Sequence, residues 1–290
     1  IIFCNGDNDT FPLWYAQEVE GVRPDVKIIN LSYLGSSWYA NQQRLQTYKA
    51  APVDFTARPE DYAYGRRDVT YVTRITDLST PTPLLSALKE IYSPEAIDRG
   101  YNLPAVLHAN TFIPVDSAAV VKSGLVSASR AGEILSEIPV RLSSMSLGKL
   151  LMLDIIATNA QNGWKRPIYW AMTVGSDQYA QFAPYLRATG MALQLVPYEA
   201  RQSTDTRLAY PIVMNKYRWG GAENGRAYFD ETAGRMLSGV RMTVLELANA
   251  LTQEGDYKRA LEVVRKYEKK LGDGVRPAGV TDIYTLGSIY

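Results

Sequence analysis

The opening thirty residues constrain the fold more than any other stretch. Ile1-Ile2-Phe3-Cys4 is an apolar run that reads as a short buried strand, ended by Gly6. Asp9 or Thr10 is placed to cap a helix, with Pro12 in its first turn, where a missing N–H costs nothing. Phe11, Trp14, Tyr15 and Val19 recur at helical spacing and give that helix an apolar side, and Gly21 supplies a left-handed stop. After the Arg23-Pro24-Asp25 turn, Val26 to Leu31 reads as a second buried strand. Two strands joined by one helix pair in parallel through a right-handed crossover, so the chain is expected to open as an α/β layer.

The pattern continues in the same manner. Helices are predicted over 37–49, 84–92 and 144–159, the second capped at its start by Thr80-Pro81-Thr82-Pro83. Strands are predicted at 105–107, 111–115, 140–142, 168–172 and 193–197, while 51–79 reads as an irregular excursion rich in Pro, Asp, Arg and Tyr. Alternation of this kind points to a layered α/β domain over 1–215 with a mainly parallel sheet and flanking helices. A connecting loop is expected over 216–230. A helical region follows over 231–290, with helices at 231–254 and 256–271 and a third starting near Thr281. Leu247-Ala248, Leu251, Gly255, Tyr257 and Ala260-Leu261 resemble one tetratricopeptide repeat, in which small residues let paired helices approach. One repeat cannot bury its own face, so it is expected to need neighbours.

Composition removes several function classes. A formal charge of +1 over 290 residues gives no global field for nucleic acid, and no nucleic-acid partner is expected. Cys4 and His108 are single residues of their kinds, which excludes a Cys/His zinc site and any mechanism needing two histidines. Both read as structural, and no cofactor is expected. Tyrosines number 20 against 6 phenylalanines, a balance suited to half-wet surfaces, whether a groove or scattered positions. No run approaches the roughly 18 apolar residues of a membrane span. The chain starts without Met inside a strand-like run, and the expectation is a piece of a longer protein.

Three constellations are candidate sites. Asn5-Gly6-Asp7-Asn8-Asp9-Thr10 follows the first strand, at the end where open α/β sheets place ligands. Asn5, Asp7, Asn8 and Asp9 there are open to capping, to ligand or sugar binding, or to a hard cation held by Asp7 and Asp9. The loop also resembles the haloacid dehalogenase phosphatase signature, an apolar strand followed by paired aspartates. Asn5-Gly6 intervenes here, and no convincing downstream pair of acids for Mg²⁺ is present. Trp164 and Arg166, before the strand starting at Ile168, suit either an anion clamp with a stacking ring or a helix-to-strand corner sealed by Trp. Arg218 and Trp219, beside Gly220-Gly221, suit a binding loop or a domain joint.

These blocks together carry a family resemblance. Asn5 to Tyr15, Gln17 to Asp25, Asn30-Leu31-Ser32 and Trp38-Tyr39 are similar to a bacterial family of multi-pass membrane proteins. Asn159, Trp164 to Tyr169 and Asn215 to Gly221 resemble the same family in the same order. That family is related to transmembrane protein O-mannosyltransferases, and the stretch resembles its soluble region after the membrane spans. The resemblance implies a parent that transfers sugar from a lipid-linked donor to a protein hydroxyl, with its catalytic carboxylate among membrane helices not contained here. The implied role is an accessory domain in the inner membrane protein, on the periplasmic side. It would hold a protein or glycan acceptor, with Trp38 and Trp164 as stacking platforms, or brace its own upstream transmembrane part. It would not be catalytic alone. The competing expectations are an Mg²⁺-dependent phosphatase or nucleotide-sugar enzyme using Asp7 and Asp9, and a protein-interaction scaffold built on the helical region.

Overall fold

The structure is a computed structural model describing residues 1–77, 80–94, 96–98, 103–200, 204–224, 227–271 and 287. The helix expected from Thr281 lies outside the described residues. In chain order the strands are β1 (Ile2–Cys4), β2 (Ile28–Asn30), β3 (Val69–Asp77), β4 (Thr82–Pro83), β5 (Ile97–Asp98), β6 (Leu103–His108), β7 (Asn110–Pro114), β8 (Glu137–Arg141), β9 (Met145–Ser146), β10 (Tyr169–Ala171), β11 (Leu186–Ala188) and β12 (Ala192–Leu195). The helices are α1 (Asp7–Glu18), α2 (Leu31–Leu34), α3 (Ser37–Gln43), α4 (Leu84–Tyr92), α5 (Ser117–Ser123), α6 (Leu147–Gln161), α7 (Thr206–Asn215), α8 (Glu231–Gln253) and α9 (Tyr257–Leu271). The chain divides into two compact units, one of residues 1–185 with 195–199, the other of residues 186–194 with 200–290.

The first unit is a layered α/β structure. β1 pairs in parallel with β2 on one side and β10 on the other, so the expected strand–helix–strand unit forms through α1. β3 runs parallel to β6 and antiparallel to β9, and β5 closes the edge of β6 as an antiparallel strand. β7 pairs in parallel with β4 and antiparallel with β8. β3 falls inside the stretch expected to be irregular. Its Val69-Thr70-Tyr71-Val72-Thr73 run is rich in branched and aromatic residues, and strand pairing outweighs the turn formers before it. α3 ends at Gln43, six residues before the expected end, and a bridge between Thr47 and Ala50 turns the chain back.

α6 is the spine of this unit. It is apolar around most of its circumference, and all of its residues from Leu147 to Ala160 are buried except Lys149. It packs against α2, α4, β7 and β9. Its one buried charge, Asp154, accepts from the backbone N–H groups of Thr56 and Ala57 at 2.8 and 2.9 Å and from the Thr158 hydroxyl at 3.0 Å. The irregular 51–57 segment is thereby tied to the core. Arg67, also buried, donates to the carbonyls of Ile91 and Tyr92 at 2.9 and 2.8 Å and so closes the C-terminal end of α4. His108 is bound to Glu90, Nε2 to Oε2, at 3.0 Å.

The second unit is mostly helical. α8 and α9 form the expected antiparallel hairpin around Glu254-Gly255, Gly255 taking φ 77° at the turn. Their seam consists of Val244, Leu247, Ala248, Leu251, Ala260, Val263 and Val264, all buried, with α7 supplying Ala209 and Val213. Arg241, only 3% exposed, donates to the carbonyl of Leu271 at the end of α9. Asp205 caps α7 by accepting from Leu208 N–H and pairs with Arg187 at 3.2 Å.

Candidate functional site

The end of β1 is organised by Asn30 at the end of β2. Asn30 is fully buried; its side-chain amide donates to Thr10 Oγ1 at 2.8 Å, and its Oδ1 accepts from Ser32 and Tyr33 N–H to start α2. Thr10 donates in turn to the Gly6 carbonyl at 2.7 Å and lies 3.1 Å from the Cys4 thiol. The helix begins earlier than expected. Gly6, at φ 83°, is its N-cap and makes no side-chain cap, so Asp9 and Thr10 lie inside the first turn. Asp9 reaches back past the N-cap to accept from the Asn5 N–H at 3.2 Å, tying the end of β1 to the first turn of the helix. The loop therefore turns on a left-handed glycine, and Asp9 closes it from within.

Each candidate of the loop has a separate fate. Asp9 is buried and committed to Asn5. Asp7 is exposed and accepts from the Tyr33 hydroxyl at 2.9 Å, which raises the Tyr33 pKa. Asn8 is exposed. Asn5 Oδ1 accepts from Ser32 Oγ at 2.5 Å. The two carboxylates thus answer to different partners. Among the described residues no group of three or more His, Cys, Asp or Glu side chains is arranged to hold a metal ion.

A cavity of about 750 Å³ opens beside Asn5. One wall comes from α2 and α3, with Ser32, Gly35, Ser36, Ser37 and Trp38; the opposite wall is the start of α6, with Ser146, Gly148 and Lys149. Tyr64, Asp68 and Gln178 complete the lining. The walls approach as closely as they do because of Gly148: a Cβ there would sit 2.8 Å from the Leu31 carbonyl. Trp38 is 59% exposed, held on its inner side by Tyr39 in an edge contact at 5.4 Å and by Tyr33 at 6.5 Å. The cavity is thus rich in hydroxyls and amides, with one indole and one phenol free to cover a ligand. Lys149 donates to the Asp177 carbonyl at 3.1 Å, which ties its cation to the rim.

The remaining candidates lie elsewhere. Trp164 is 2% exposed and occupies the left-handed region at φ 56° directly after Gly163 at φ 81°. It seals the corner between α6 and β10, so no ligand can stack on it. Arg166 is spent on the carbonyls of Ala51 and Pro52 at 3.1 and 2.8 Å, while Asn159 binds the Arg166 backbone on both its N–H and carbonyl. That guanidinium is a strap for the 51–52 loop and not a clamp for an anion. Arg218 and Trp219 belong to the second unit, where Trp219 packs against the helical core and meets Tyr217 edge-on at 5.7 Å. Of the nine sequence candidates, the cavity gathers Asn5 and Trp38. Reasoning from sequence missed Tyr64, Gly148 and Lys149, whose only signal was their turn and helix-start context.

The same segments also decide the family. The family model for TMEM260-associated domain 2 matches residues 1–211. The chain belongs to that family. The match spans β1 through most of α7 and includes every residue lining the cavity. No curated protein and no solved structure matches the chain. Among the described residues, no helix is long and apolar enough to cross a membrane. A TMEM260-associated domain of this kind suits an accessory role beside a membrane protein, which agrees in outline with the resemblance read from the motifs.

Proposed function

We propose that this chain is the extramembranous accessory domain of a TMEM260-like membrane protein with glycosyltransferase activity, and that it holds the acceptor in the cavity beside Asn5 and Trp38. The observation that carries the reading is an indole left 59% exposed at the mouth of a cavity lined by serine hydroxyls and amides. An aromatic ring covers the apolar face of a sugar or the flank of an extended peptide, while hydroxyls and amides exchange hydrogen bonds with it. Of its charged lining groups, Lys149 is tied to the Asp177 carbonyl and Asp68 accepts from the Gly65 N–H, so the site suits binding and positioning better than bond breaking. The upstream transmembrane part is the natural partner in this reading, and the extracytoplasmic side its location.

The test is calorimetric titration of the 290-residue chain with a serine- and threonine-rich peptide and with the same peptide O-mannosylated. At least one of the two is expected to bind, and Trp38→Ala to weaken it about fivefold, in line with roughly 1 kcal/mol for an aromatic contact beyond its area. Equal binding by the Trp38→Ala variant, or binding by neither peptide, would count against the cavity as an acceptor site.

A further inference from the structure

α1 is built inside out. The residues it buries are Asp9, Thr10 and Gln17, all polar and all satisfied: Gln17 donates to the carbonyls of Arg23 and Val26 at 2.8 Å each, Thr10 to that of Gly6 at 2.7 Å. Phe11, Tyr15 and Val19, four residues apart and so on one face, are 49%, 57% and 65% exposed. On the neighbouring 44–49 turn Leu45 and Tyr48 are 62% and 49% exposed. Trp14 and Tyr48 line a groove of about 380 Å³ between helix and turn. Leu13, Trp14 and Ala16 are half-buried beside that polar side, and the Phe11–Tyr15–Val19 side is left for something else.

The charges on this face select the occupant. Residues 10–17 carry no charge, Asp7 stands at one end of the stripe, and Glu18 stands at the other. Arg23 is neutralised by Asp25 at 2.9 Å, Lys27 is buried against Leu45 and Thr47, and Arg44 is turned onto the Phe55 ring and carbonyl, which leaves Lys49 against Asp7 and Glu18. Anionic lipid headgroups would be repelled by this frame, and a second copy would set acid against acid across a two-fold axis. A stripe at i, i+4, i+8 is a ridge that fits the groove of another helix, and from Phe11 to Val19 it runs about 12 Å along the axis at 1.5 Å per residue. We propose that the outer face of α1 docks an amphipathic α-helix of a partner protein whose apolar stripe is framed by lysine or arginine. The proposal stands independently of the acceptor cavity.

The experiment uses the 290-residue chain and two synthetic helical peptides sharing a leucine stripe, one flanked by lysines and one by glutamates. Fluorescence anisotropy is expected to give at least tenfold tighter binding of the lysine peptide. Phe11→Ser with Tyr15→Ser removes that binding by at least tenfold, and because both side chains are half exposed the melting temperature serves as the control for folding. Glu18→Lys narrows the preference between the peptides at least threefold. Equal affinity for both peptides overturns the proposal, as does binding indifferent to the double serine variant. Association with phosphatidylcholine/phosphatidylglycerol vesicles that is lost in that variant would assign the face to lipid, and a dimer in sedimentation that the variant dissociates would assign it to a second copy; either result overturns the proposal.

Discussion

Cys4 shows what a single side chain gains and loses by its place at the end of β1. It is fully buried, its sulfur lies 3.1 Å from Thr10 Oγ1, and burial pushes its thiol up to about 11. The sign of the consequence follows from linkage. The unfolded thiol titrates near 9, so the unfolded chain releases this proton first as pH rises. The contribution is fully present below about pH 9 and is lost as pH rises towards 11. At pH 8 the native thiol is neutral and shielded. Iodoacetamide is therefore expected to leave Cys4 unmodified in the native protein and to alkylate it fully in guanidinium, read by intact mass. Stoichiometric alkylation with the circular dichroism unchanged would refute the buried placement. The apolar run around Cys4 made its burial legible in sequence. For Arg166 the spacing could not say that the carbonyls of the 51–52 loop would reach it from more than a hundred residues away.

At the scale of elements, periodicity located most helices and strands but did not orient them. The apolar positions Phe11, Trp14, Tyr15 and Val19 do define a face of α1, yet that face is largely exposed, because the opposite one carries Thr10 and Gln17 with buried partners waiting on β2 and the 23–26 turn. A helical pattern fixes which residues share a side and leaves open which side meets the core. α8 and α9 were more legible, since one stripe on each can only be buried against the other. Ala260, 1% exposed, sits in that seam with Ala248 and Val264. Ala260→Leu is expected to overpack it and cost about 1–3 kcal/mol. Chemical denaturation monitored at 222 nm measures this; an unchanged midpoint would mean that the hairpin tolerates separation at this point and that small size is not what Ala260 provides.

For the whole molecule, the open question is whether the first loop is catalytic, since paired aspartates after a strand also suit an Mg²⁺-dependent hydrolase. The geometry argues against a shared ion. Asp9 is buried and bound to the Asn5 N–H, Asp7 is exposed and bound to the Tyr33 hydroxyl, and Gly6 at φ 83° sends the chain straight into α1. A cation held between the two carboxylates would have to break the Asp9 contact that closes the helix. The energetic consequence is measurable. An ion binding the folded chain at one hundred times its Kd stabilises it by about 2.7 kcal/mol, which for a chain of this size raises the melting temperature by several degrees. The 290-residue chain is expected to show a shift below about 1 °C with 10 mM MgCl2 or CaCl2, and no phosphate release from p-nitrophenyl phosphate or nucleotide sugars. Asp7→Asn should leave both readings as they are and lower the stability only slightly, through the exposed Tyr33 contact. A shift of several degrees that Asp7→Asn abolishes, accompanied by Mg²⁺-dependent turnover, would replace the accessory reading with a hydrolase centred on this loop.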